Sequence, residues 1–325
     1  MNSNKEKNLG VSKQINVSKR GYSYIYIDKA KIIVSKGTLV YLQKEKNKEL
    51  FFNIPYLNCS VIALGPGTSI TNEAVRLAAN NSVIIIFVNS IYKPSANTLQ
   101  EFSVLAPSSE YKPNEYMQAF SKIFFDEDKR LEKAKYLLIR RIELTSLIQK
   151  GLVKDDIISQ DLQNTIKLLG KDFYDDLIIQ PDTRTVLLSE ARYTKNIFRE
   201  FAQHYSIPFK KNNDYKKSDI GSNSVNSNLL NINYILYGMS ASALVTLNIS
   251  FAFPLLHGKT RRGALVFDIA DLLKDGLSIP LSFYANKKNL DDREVRDLAL
   301  DYCSDMDLFS TLFREIIGIT KLKFW

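Results

Sequence analysis

The chain has only two cysteines and two histidines in 325 residues, which narrows its chemistry at once. Cys59 and Cys303 stand far apart and form no Cys-x-x-Cys pair, so a disulfide framework and a structural zinc site are both disfavoured. The pair is compatible with a reducing cytoplasm. The opening MNSNKEKNLGVSKQINVSKRG is basic and polar without an apolar centre, so it does not read as a secretory signal. The longest apolar run, ASALVTLNISFAFPLL at residues 241–256, contains Asn248 and Pro254 and is short for a membrane span. It reads as buried core, and the expectation is a soluble cytoplasmic protein. No internal repeat and no Walker-type loop is evident. Gly65-Pro66-Gly67 is too sparse to cradle a phosphate and reads as a turn.

What is present is ordinary in amount and informative in arrangement. Hydrophobic residues make up 45% and charged residues 24%, within the range of a globular protein long enough for two domains. A net charge of +9 and a pI near 9.2 suggest an anionic partner, nucleic acid or an acidic membrane surface. The front third reads as β: short β-branched or aromatic runs at 22–27, 30–35, 38–42, 50–54, 59–64 and 83–88 are separated by polar turns. Between the last two, residues 71–79 have helical spacing, with Thr71 as N-cap and Asn80-Asn81 as the stop.

Prolines at 94, 107 and 113 mark a hinge, after which apolar spacing turns helical. Helices are expected over 115–149, 155–169, 182–204, 229–253, 265–275 and 290–318, with a polar exposed loop at 210–228. The fold class is therefore α+β: a strand-rich N-terminal domain (1–105), a linker (106–114) and a larger all-helical domain (115–325).

Chemistry concentrates in HGKTRRGALVFDIAD, residues 257–271. His257 begins a short basic loop carrying Lys259, Arg261 and Arg262. Asp268 and Asp271 follow, three residues apart and therefore on one helix face. Such pairs are usually solvated surface, but this one adjoins Leu265-Val266-Phe267 and Leu272-Leu273. Carboxylates beside a core are costly unless something positive covers them, and a hard divalent cation with an imidazole ligand would do so. Arg192, Lys195 and Arg199, at i, i+3 and i+7, share a helix face suited to phosphates; the bland alternative is a solvated basic face. Nothing local separates Glu190, in LLSEARYTKNIF, from other helical glutamates.

This segment, together with Glu190, NSNLLNINYILYGMSASAL and GPGTSITNEAVRLAANNSVIIIF, resembles the CRISPR-associated adaptation integrase, with wording that leans toward its subtype I-F branch. The resemblance implies a metal-dependent DNA endonuclease and integrase that inserts spacers by 3′-hydroxyl transesterification. It implies Glu190, His257 and Asp268 as ligands of magnesium or manganese, with Asp271 supporting the site. It implies Lys259, Arg261, Arg262, Arg192, Lys195 and Arg199 along the DNA, and a structural or DNA-positioning role for Asn228, Asn231 and Tyr234. It further implies a homodimer formed through the N-terminal region and a small ferredoxin-like partner, in subtype I-F fused to the interference helicase-nuclease. A silent DNA-binding scaffold, a nuclease outside CRISPR adaptation, and an enzyme of RNA or small phosphoesters are the rival readings.

Overall fold

The computed structural model describes residues 14–15, 24–45, 48–88, 102–106, 114–209, 224–257 and 263–321. Nine strands precede nine of the ten helices found among them. Strands β1 (Gln14–Ile15), β2 (Tyr24–Ile27), β3 (Lys31–Ser35), β4 (Thr38–Glu45), β5 (Lys48–Asn53), β6 (Val61–Leu64) and β7 (Ser69–Ile70) lead into helix α1 (Asn72–Asn80); β8 (Ile84–Val88) and β9 (Phe102–Leu105) follow it. Two sheets result, one in the order β1-β2-β6-β8-β9 and one in the order β5-β4-β3-β7. In the first sheet β2, β6 and β8 run parallel and the two outer strands are antiparallel. Thr71 caps α1 as its position predicts, its hydroxyl accepting from the Ala74 N–H at 3.3 Å.

The near-continuous apolar runs of β2, β6 and β8 follow from the place of their sheet, which is covered on both faces. One face sends Ile25, Ile27, Ile62, Leu64 and Ile85 against the second sheet and α1. The other sends Tyr24, Tyr26, Val61, Ala63, Ile84 and Ile86 into the core of the helical region. The strand-rich part thus shares a core with the helices. The expected hinge prolines and residues 107–113 lie outside the described residues.

The helical region comprises α2 (Asn114–Phe124), α3 (Glu127–Lys154), α4 (Gln160–Ile178), α5 (Thr183–Tyr205), α6 (Val225–Thr246), α7 (Ala264–Leu273), α8 (Ile279–Lys288), α9 (Asp292–Asp305) and α10 (Leu308–Lys321). The single helix expected over 115–149 is two, because the Asp126 carboxylate accepts from the Lys129 N–H at 3.0 Å and starts α3 afresh. The helix expected over 229–253 begins earlier, at a Ser224 cap, and stops where Asn248 takes a positive φ of 54°. The segment expected at 265–275 continues through a π-helical turn, Lys274–Ser278, into α8, with Pro280 in the first turn of α8. The segment at 290–318 breaks at Met306 and Asp307, where Asp307 has φ 49°. Of the polar loop expected at 210–228, residues 210–223 lie outside the described residues.

Helix α6 is buried on nearly all sides, packing on α7, α8, α9, α10 and strands β8 and β9. It is the one helix among the described residues long and apolar enough to cross a membrane, and 72% of its apolar window lies inside the protein. Its close fit to the sheet rests on Gly238, where an added Cβ would meet the Tyr24 hydroxyl oxygen at 2.6 Å. That hydroxyl is buried and has no hydrogen-bond partner among the described residues. Gly238→Ala is therefore expected to lower stability by about 1–3 kcal/mol through overpacking. Tyr24→Phe alone should cost little, and it should recover most of the loss in the double variant. Urea denaturation of the four proteins checks this; simple additivity would show that the Tyr24 contact is not the cause.

Candidate active site

Three structural pieces meet beside α6: the segment after it that carries His257, the face of α7 that carries Asp268 and Asp271, and the middle of α5 with Glu190. Asp268 is 1% exposed, and both its oxygens are taken. Oδ2 accepts from the backbone N–H groups of Leu255 and Leu256 at 2.7 and 3.1 Å, and Oδ1 accepts from the His257 N–H at 3.1 Å. The His257 ring nitrogen Nδ1 lies 2.6 Å from the same Oδ1. A carboxylate at that distance makes Nδ1 the protonated nitrogen of the neutral ring and leaves the Nε2 lone pair available. Nε2 stands 3.9 Å from Asp271 Oδ2.

Asp271 is held from its other side. Its Oδ1 is 2.5 Å from the Lys274 ammonium, which also donates to the Tyr237 hydroxyl at 3.0 Å. Burial works against the Asp271 charge, but Lys274, Arg141 and His257 outweigh it and bring the carboxyl down to about 2. Burial likewise opposes a charged His257, but the bond to Asp268 and the charges of Asp271, Asp268 and Glu190 prevail and raise its pKa above the usual value. Glu190 Oε1 accepts from Arg141 Nη1 at 2.7 Å and from the Thr194 hydroxyl at 3.2 Å. Arg141, on α3 and 3% exposed, grips Asp275 with Nε at 2.6 Å and Nη2 at 2.8 Å.

A cavity of about 1000 Å³ opens beside these groups, with Glu190, His257, Asp271 and Lys274 on its wall. Asp268 is not on that wall. Apolar side chains also line the cavity, among them Phe198 and Phe209 stacked at 5.0 Å. Lys195 and Arg199 reach the cavity, whereas Arg192 turns away to pair with Asp176 of α4 at 2.9 Å. The expected basic face is thus divided, and only two of its three residues meet the site. Lys259, Arg261 and Arg262 lie outside the described residues. Asn228 and Asn231 are buried and committed to structure: Asn228 donates to the Ser282 carbonyl at 3.2 Å and Asn231 to Asp292 at 2.9 Å. Tyr234 is ring-packed edge-on against Tyr237, and the asparagines on the cavity wall are Asn226 and Asn233.

The expectation makes Asp268 a metal ligand with Asp271 in support; in this geometry Asp271 lines the cavity and Asp268 lies behind it. Asp268 has no oxygen facing the cavity; its work is to hold the loop and the His257 ring. Among the described residues no three His, Cys, Asp or Glu side chains are gathered closely enough to hold a metal ion as they stand, since Arg141 and Lys274 engage Glu190 and Asp271. The donor set nonetheless fits a hard divalent cation, with two carboxylates and an imidazole Nε2 on one wall and no thiolate. The charges fit as well. Glu190 and Asp275 pair with Arg141, Asp271 with Lys274 and Asp268 with His257, so carboxylates outnumber the permanent cations that touch them.

Sequence reasoning missed Lys274, Asp275, Tyr237 and Arg141. The first could have been found, because Asp268, Asp271 and Lys274 form an i, i+3, i+6 ladder. Arg141 lies 134 residues from Asp275 and carries no local signal.

Residues 24–294 match the family described as CRISPR associated protein Cas1. The CRISPR-associated endonuclease Cas1 of Pectobacterium atrosepticum is 35% identical over 294 residues, covering 87% of each chain. That of Pseudomonas aeruginosa is 34% identical, covering 88% of this chain and 89% of its own. In fold, the chain resembles TtCas1 in a DNA complex, with a TM-score of 0.65 and 18% identity over 94% of this chain and 93% of that one. It also resembles a casposase bound to its integration product, with a TM-score of 0.67 and 14% identity over 92% and 91% of the two chains. A match of this extent, joined to relatives above one-third identity along nearly the whole length, shows that the chain belongs to the Cas1 family.

Proposed function

We propose that this protein is a divalent-metal-dependent DNA endonuclease and integrase of CRISPR adaptation. It joins the 3′-hydroxyl end of a DNA fragment to a CRISPR repeat by transesterification, and it cleaves branched or duplex DNA. The observation that carries this reading is the cavity wall on which Glu190, His257 Nε2 and Asp271 stand together, with Lys195 and Arg199 beside them. The names of the two curated relatives support the endonuclease reading, and the DNA-bound structural neighbours support a nucleic-acid substrate.

Glu190, His257 and Asp271 would hold the metal, magnesium or manganese. When bound, it supplies a Lewis acid for a phosphate oxygen and lowers the pKa of an attacking hydroxyl or water. The protein's own contributions are separate. Asp268 fixes the His257 tautomer and orientation. Lys274, attached to Asp271 and Tyr237, sets a permanent cation beside the position of the reacting phosphate. Lys195 and Arg199 hold the backbone on either side of that phosphate through charge, without reading bases. Transesterification exchanges one phosphorus–oxygen bond for another, so no external energy source is required. The subtype I-F assignment and the ferredoxin-like partner, free or fused to the helicase-nuclease, rest on the family resemblance.

The two aspartates test the site. With manganese or magnesium the protein should cut and join DNA, and chelator should stop it. Asp271→Ala should abolish activity with a smaller loss of stability than Asp268→Ala, because only the Lys274 ammonium loses a partner and it keeps the Tyr237 hydroxyl. Asp268→Ala should instead lower stability by about 2–4 kcal/mol, because three backbone N–H groups and an imidazole lose their acceptor in a buried place. A stable, fully folded Asp268→Ala protein alongside an active Asp271→Ala protein would reverse the assignment.

We also propose a homodimer formed through the strand-rich region. Strand β5 is an open sheet edge, and Phe51 on it is 61% exposed, with Leu57 nearby in sequence 74% exposed. Light scattering at micromolar concentration should give twice the 37.1 kDa chain mass. Phe51→Asp with Leu57→Asp should halve it. A wild-type monomer would contradict the proposal.

A further inference from the structure

The guanidinium of Arg141 is the most deeply buried cation beside the cavity, and its surroundings go beyond simple neutralisation. Arg141, Thr145 and Gln149 lie at i, i+4 and i+8 on α3, forming one stripe that faces the π-helical turn. Gln149 donates its side-chain N–H to the Asp275 carbonyl at 3.2 Å. Gly276 sits so close to this stripe that an added Cβ would lie 3.1 Å from Thr145 Cα and from Ile148 Cβ. The turn therefore brings Asp275 against α3 while its neighbour Lys274 remains on Asp271. Asp275 takes two of the guanidinium's N–H groups in a fork. A third, Nη1, is left to point at Glu190. Both hydrogen bonds to Glu190 fall on Oε1, and none given among the described residues falls on Oε2.

We infer that Arg141 and Asp275 are a positioning pair for Glu190. Asp275 fixes the guanidinium so that it holds one Glu190 oxygen and leaves the other to the metal; this rests on the metal-site reading proposed above. The direction of the effect follows from the fork. Relieved of Asp275, a buried guanidinium seeks another carboxylate to grip with two N–H groups, and Glu190 is the one already in contact. It would then occupy both Glu190 oxygens and compete with the cation. Neither residue touches the reacting atoms; they act through Glu190.

The test is a manganese titration of the full chain by calorimetry, without DNA, for wild type and Asp275→Asn, with folding checked by circular dichroism. Asp275→Asn should bind manganese about ten-fold or more weakly, the scale of losing a partner that orients a ligand. In a DNA-joining assay it should need correspondingly more manganese for half-maximal rate while approaching the wild-type plateau. A merely structural role would lower the plateau and leave manganese affinity unchanged, and that result overturns the inference alone. A wild-type protein that takes up no manganese overturns the metal reading, and this inference with it. If Asp275→Asn does not fold, Thr194→Val carries the test. It removes a half-buried hydroxyl that accepts from Arg141 Nη2 at 3.0 Å and donates to Glu190 Oε1 at 3.2 Å, and it should weaken manganese binding about ten-fold, the scale of one hydrogen bond to a charged group. Unchanged affinity in Thr194→Val overturns the proposal.

Discussion

A charge removed from water has to be met by opposite charge or by hydrogen bonds, and the catalytic end of this chain is arranged by that constraint. Arg141 is the clearest case. At 3% exposure it is matched by Asp275 from the π-helical turn and Glu190 from α5, which ties two elements to α3 through one side chain. Asp268 is the converse case, a buried carboxylate satisfied by backbone N–H groups and an imidazole. Removing one partner from either arrangement would strand the other, at a cost on the order of 3–5 kcal/mol for a buried ion pair. The site's rigidity and the fold's stability are therefore one property here.

The same constraint separates two aspartates that the sequence presents as equivalents. Asp268 spends its acceptors on structure and thereby aims His257. Asp271, three residues on, spends one oxygen on Lys274 and turns the other toward His257 Nε2. A side chain already saturated with hydrogen bonds makes a poor ligand, because binding a cation would leave buried N–H groups without partners. A side chain with one oxygen on an ammonium and the other at the cavity makes a better one. The excess of carboxylates over permanent cations makes the cluster attractive to positive charge.

Much of this was legible beforehand, and the failures have definite causes. The runs at 22–27, 59–64 and 83–88 marked strands, the last two as buried ones, and their composition followed from a sheet covered on both faces. Thr71 announced a helix start. The breaks at Asp126 and Asp307 were harder to read, because a cap embedded in a continuing apolar period looks like helix interior. The π-helical turn left no trace in spacing. His257, Asp268 and Asp271 stood out by their crowding, and Glu190 needed the family resemblance. The division of labour between the aspartates was invisible, because it depends on the N–H groups of Leu255 and Leu256, which only the folded loop directs at Asp268. Arg192 looked equivalent to Lys195 and Arg199 until Asp176, on another helix, claimed it.

The most direct measurement is manganese anomalous scattering from crystals of the full chain soaked in the metal. The account predicts one peak within coordination distance of Glu190, His257 Nε2 and Asp271, with Asp268 still accepting from Leu255 and Leu256. A peak coordinated by Asp268, its carboxylate withdrawn from those N–H groups, would contradict it.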